Sequence, residues 1–109
     1  CGDLQNGKEC WSPICSSSCY RTEDRSNNFI AIRRPPGTPG GNVLYAEFQT
    51  GDLTAADIKF DRVDFTEFYN LTADPWQMHN LAGQLPKQHA GELHQRLHMW
   101  LGCAGASCP

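Results

Sequence analysis

Apolar and polar positions alternate over three stretches of the chain, and a fourth shows a helical repeat. Residues 28–34 (Asn-Phe-Ile-Ala-Ile-Arg-Arg) carry branched residues in rough alternation and predict a short strand. Residues 35–41 (Pro-Pro-Gly-Thr-Pro-Gly-Gly) interrupt it as a turn. Residues 42–48 predict a second strand, paired with the first as an antiparallel hairpin across that wide loop. Residues 62–71 give the strongest strand pattern. Val63, Phe65 and Tyr69 fall on one side and Phe68 on the other, so both faces of this strand are expected to be at least partly covered. Asp74-Pro75 then stops the strand, because the residue before proline avoids helical geometry and proline is preset for a turn. Trp76 is expected to fold back as a lid over the sheet.

From Pro86 to Leu101 the period changes. Ala90, Leu93, Leu97, Trp100 and Leu101 draw one stripe on a helix that begins at a proline suited to the first turn and ends at Gly102. Burying such a stripe on the sheet is worth roughly 1.5–3 kcal/mol for each large side chain. The expected fold class is α+β: an antiparallel sheet of three or more strands with one C-terminal helix across it. Residues 49–60 are weakly patterned, with a helical turn or exposed loop at 53–57. Residues 1–27 are polar, serine-rich and cysteine-bearing, with Trp11 and Ile14 as their few large apolar anchors. They read as a stapled loop or linker ahead of a domain spanning 28–109.

Composition narrows the classes. A chain of 109 residues fits one domain, and its hydrophobic fraction of 39%, with ten glycines and seven prolines, is low for a self-sufficient core. Domains this small are marginal without staples or a partner. The net charge of −3 and the mixing of acids with bases leave no basic stripe, which argues against nucleic acid. No apolar run approaches the length of a membrane span. The six cysteines, at 1, 10, 15, 19, 103 and 108, match no zinc-ligand spacing and read as a disulfide framework of an oxidising compartment. Cys103 and Cys108 are expected to pair, since the Gly105-containing loop between them can bend back, while the pairing of Cys1, Cys10, Cys15 and Cys19 stays open. A start at Cys1 is read as a mature processed product or a piece of something longer.

Few residues offer chemistry. Asn70-Leu71-Thr72 is an N-glycosylation acceptor, with Asn70 the candidate site. His94 and His98 lie one helical turn apart, as in zinc metalloproteases, but Gln95 stands where those enzymes need a glutamate, and Glu92 lies on a different face. A solvated polar helix face is the expectation there; His79 and His89 add no fixed spacing. Cys10-Trp11-Ser12-Pro13 misses the register of a formylglycine motif: Pro13 comes one residue late and Ile14 stands where the arginine is needed. Asp57, Asp61 and Asp64 lack the glycine and terminal glutamate of a calcium loop and are read as solvated acids. No G-x-S-x-G serine and no phosphate-binding glycine loop is present.

Glu67-Phe68-Tyr69-Asn70-Leu71-Thr72-Ala73-Asp74-Pro75, followed by Asn80-Leu81-Ala82, resembles the C-terminal signature of sulfatases: a strand close to Glu-Leu-Tyr-Asp-Leu, an Asp-Pro turn, and Asn-Leu before the last helix. Residues 101–108 resemble the close of N-acetylglucosamine-6-sulfatases and related arylsulfatases, and 28–33 with 45–48 fit the strands upstream. The resemblance implies a small C-terminal domain, a sheet of about four strands with a packed helix, leaning on a catalytic N-terminal domain or heavy chain. That partner would hold the formylglycine and the calcium ion. No catalytic, cofactor-binding or metal-binding residue carries over to this chain. The function implied is support of sulfate-ester hydrolysis, on sulfated sugars, in an extracellular or lysosomal setting. Phe65, Phe68, Tyr69 and Trp76 are expected to serve as a packing device, and loops 35–42 and 49–60 as candidate contacts to a sulfated saccharide. The competing readings are a catalytically silent structural or binding module that kept the sulfatase tail, and an independent small metalloenzyme.

Overall fold

The computed structural model describes residues 27–50 and 58–108. The segment 1–26 lies outside them, with the expected stapled loop and Cys1, Cys10, Cys15 and Cys19, and so does the expected helical turn at 53–57. Three strands, β1 (Asn27–Arg34), β2 (Val43–Thr50) and β3 (Phe65–Asn70), form an antiparallel sheet in the order β1-β2-β3, and one long helix, α1 (Lys87–Leu101), follows. The architecture is therefore α+β, with one strand fewer among the described residues than the resemblance implied.

The β1–β2 hairpin closes over a proline-glycine loop in which Gly37, Gly40 and Gly41 adopt positive φ, a backbone that side-chain-bearing residues resist. Register follows from the alternation. Ile30 opposes Glu47, and Ile32 opposes Tyr45, which in turn opposes Phe68. These side chains share the face under the helix. The core is Val43, Tyr45, Phe68, Leu93 and Leu97, with Ile30, Ile32, Leu81, Ala82 and Leu85 packed around it. Leu93 is completely buried. The helical stripe is narrower than its sequence suggests. Leu93 and Leu97 are buried, whereas Trp100 and Leu101 are exposed. Pro86 caps the helix from outside, one residue earlier than the first-turn position expected of it.

After Thr50 the chain returns through residues 58–64. Gln49, itself buried, accepts hydrogen bonds at Oε1 from the backbone amides of Lys59 and Phe60. Phe60 is buried in a left-handed conformation, φ 53°. Asp64 then accepts from the backbone amide and hydroxyl of Thr50 at Oδ2, locking the loop to the end of β2. These bonds, the Thr50 amide foremost, hold the Asp64 carboxyl below its usual range, so it is not the free solvated acid expected.

Candidate functional site

The Asp-Pro signature folds as a tight reversal at the end of β3. The Asp74 carboxylate accepts hydrogen bonds from the backbone amides of Met78 at Oδ1 (3.0 Å) and His79 at Oδ2 (2.8 Å). Those two amides are the main cause of its lowered pKa. Gln77 takes a left-handed φ of 56° to complete the turn. Asn80 then fastens the returning chain to the outer edge of β3. Its Oδ1 accepts from the Phe68 amide (3.0 Å) and the Ala82 amide (3.0 Å), and its Nδ2 donates to the Thr66 carbonyl (3.0 Å). The Leu81 amide donates to the Phe68 carbonyl at 2.8 Å. One side chain and one amide thus satisfy the backbone of an edge that a further strand would otherwise pair. Leu81, Ala82 and Leu85 pass directly into the core and the helix follows.

Trp76 does not act as a lid. It is 83% exposed, within the turn that the Asp74 bonds to the Met78 and His79 amides close. Phe65 is likewise exposed, so of the four aromatics expected to pack, only Phe68 and Tyr69 are buried. Phe68 meets His89 edge to ring, 5.9 Å between centroids. Burial, then the nearby Glu67 carboxylate, pushes the Tyr69 hydroxyl up.

Asn70 ends β3 and is exposed; its Oδ1 accepts from the amides of Thr72 and Ala73. Cys103 and Cys108 are joined by a disulfide, with S–S 2.09 Å and Cα–Cα 4.9 Å, around a short 3-10 turn at Gly105–Ser107. Ser107 Oγ accepts from the Ala104 amide at 2.8 Å inside that loop.

His94 and His98 do not line a solvated face. Adjacent to Leu93 and Leu97, they are carried by the same turn of the helix down onto β2, where both rings meet Glu47. His94 Nδ1 lies 2.8 Å from Glu47 Oε1 and His98 Nε2 lies 2.7 Å from Oε2. The Tyr45 hydroxyl donates to Oε1 at 2.7 Å. Burial, then the hydrogen bond to Glu47, raises the Tyr45 hydroxyl far above its ordinary pKa, which keeps it a donor. Glu47 is fully buried, and among the described residues no lysine or arginine pairs with it. Spacing within the helix pointed to the two imidazoles but not to their partner. The available signal was an acid at a helix-facing position of the most apolar strand, two residues after Tyr45.

On the opposite face, Phe29, Phe48 and Phe65 occupy directly opposed positions on the three strands and stack in a row, with 5.7 Å between successive ring centroids. Phe29 and Phe65 are each more than half exposed.

Sequence comparison agrees with the resemblance: the chain belongs with the sulfatases and fits a sulfatase C-terminal domain. The relatives include N-acetylglucosamine-6-sulfatase of Bos taurus, 30% identical over 94 residues and 86% of this chain, and the same enzyme of Homo sapiens at the same identity and share. The Drosophila melanogaster extracellular sulfatase SULF-1 homologue is 31% identical over 99 residues, 89% of this chain. The chain spans only 14% of the bovine protein, 15% of the human one and 8% of the Drosophila one. No family model and no solved structure matches it.

The calcium that the resemblance places in such enzymes does not fit the donors gathered among the described residues. Calcium takes six to eight oxygens, whereas the cluster on Glu47 brings two ring nitrogens, and the Asp64 and Asp74 carboxylates are engaged by backbone amides. Among the described residues no helix is long and apolar enough to cross a membrane.

Proposed function

We propose that this chain is the C-terminal domain or light chain of a sulfatase, supporting hydrolysis of sulfate esters on sulfated sugars by a catalytic domain that the chain itself does not contain. Formylglycine and calcium belong to that partner, and the setting is extracellular or lysosomal, with Asn70 as a glycosylation site. The observation that carries the reading is the aromatic row. A sheet that closes one face under a helix leaves Phe29 and Phe65 in water on the other, in a chain similar to a small fraction of much larger enzymes. Phe29, Phe48 and Phe65 are the surface on which the catalytic domain rests, and the exposed 35–41 loop lies at the end of the same sheet as a contact to substrate.

Mass spectrometry of the natively purified assembly tests this, under reducing and non-reducing conditions. The expected companion is a larger polypeptide containing Cys-x-Pro-x-Arg with its cysteine converted to formylglycine. A homogeneous 12.1 kDa species overturns the reading. A companion lacking the nucleophile motif identifies a catalytically silent module instead.

A further inference from the structure

We infer that Glu47, His94 and His98 form a binding site for one divalent transition-metal ion of the zinc class, which staples α1 to the central strand β2. The donor atoms come from elements 47 and 51 residues apart in sequence, yet all lie within 4.8 Å of one another. Two imidazole nitrogens and a carboxylate are the donor types that zinc, cobalt and nickel take, and three protein ligands leave a fourth position for water. Metal–ligand bonds near 2.0–2.1 Å separate tetrahedral donors by about 3.3 Å. The imidazole–carboxylate separations, 2.8 Å to Oε1 and 2.7 Å to Oε2, therefore open by about half an ångström, while the widest separation among the donors, within 4.8 Å, closes by up to about 1.5 Å, through side-chain rotations.

Charge favours the ion over the hydrogen bonds alone. A fully buried carboxylate needs a compensating positive charge. Among the described residues no lysine or arginine pairs with it, and the two rings that face it stand with centroids 4.1 Å apart. A divalent ion compensates the carboxylate while both rings stay neutral; each presents a lone pair by carrying its proton on the far ring nitrogen. Tyr45 holds the carboxylate from behind, as outer-shell donors do in metal sites. Access runs past His94, whose side chain is 47% exposed against 26% for His98. A staple at this position suits a domain too small to rest on its core alone.

The inference does not depend on the sulfatase reading, because its test uses no enzymatic activity. The chelator-treated full chain, disulfides intact, is titrated with Zn²⁺ by calorimetry and with Co²⁺ by visible absorption, and its melting temperature is followed with and without Zn²⁺. One ion per chain is expected, with Co²⁺ d–d bands, no thiolate absorption, and a melting temperature that rises with Zn²⁺. His94→Gln and Glu47→Gln should abolish stoichiometric uptake, Tyr45→Phe should weaken it about tenfold, and His79→Gln with His89→Gln should leave it unchanged. His94→Gln is the decisive variant, since its side chain is the most exposed of the three and Leu93 and Leu97 keep the helix seated. Circular dichroism verifies that it is folded. Absence of stoichiometric uptake by the unmodified chain, undiminished affinity in folded His94→Gln, or thiolate absorption in the Co²⁺ complex each overturns the assignment.

Discussion

The two faces of the sheet are cut from the same alternating strands and have opposite fates. Under the helix, Val43, Tyr45 and Phe68 meet Leu93 and Leu97, and even the acid at position 47 is sealed from water. On the other side Phe29, Phe48 and Phe65 form an ordered row whose ends remain in solvent. The acid is buried, while Phe29 and Phe65 are each more than half exposed. The contrast shows that one helix is enough to close one side of a three-stranded sheet. The second side carries the contact surface proposed above, since singly exposed apolar groups are ordinary and a contiguous row is not.

Substitutions on the two faces break or sharpen this contrast. Leu93→Ala removes a fully buried side chain and should cost about 2–5 kcal/mol in chemical denaturation. Phe29→Ala removes one neighbour from a half-exposed row and should cost under ~1.5 kcal/mol. Equal losses would erase the distinction between a closed and an open face. Asn80→Ala comes next, at about 1–3 kcal/mol, because it strips acceptors from the Phe68 and Ala82 amides and a donor from the Thr66 carbonyl. A change indistinguishable from zero would show that water replaces that side chain and that the edge of β3 needs no fastening. Tyr45→Phe should cost about 0.5–1.5 kcal/mol through the lost bond to Glu47.

The smallest effect is local and acid-dependent. The folded pKa of Asp74 is depressed, so its contribution is present above the unfolded carboxylate value and is lost as pH falls through the lower folded one. In NMR titrations the Met78 and His79 amide resonances should move only below the ordinary carboxylate range, and Asp74→Asn should abolish that movement. Titration at the ordinary carboxylate pKa would mean that the turn is not held by these bonds in solution.

Much of the fold was legible in the residue pattern. Alternation set the three strands and their antiparallel pairing because side chains of a strand point to opposite faces by turns, and the leucine stripe set the helix because its period is 3.6. Exposure was less legible. Trp76 and Phe65 are as apolar as Phe68, and nothing local distinguishes a tryptophan that covers a sheet from one that projects off a turn. The role of Asn80 was hidden too, because its partners, Phe68 and Thr66, lie on the far side of the reversal.

The sequence by itself determined the α+β class, the three strands, the helix and the signature shared with the sulfatases, all of which depend on short-range periodicity and turn chemistry. Only the tertiary structure decided that His94 and His98 meet Glu47, that Asn80 closes the edge of β3, and that three phenylalanines align on an open face. Register across strands and the seating of a helix are set jointly by every contact in the core, so residues distant in the chain become neighbours only once the whole domain has packed.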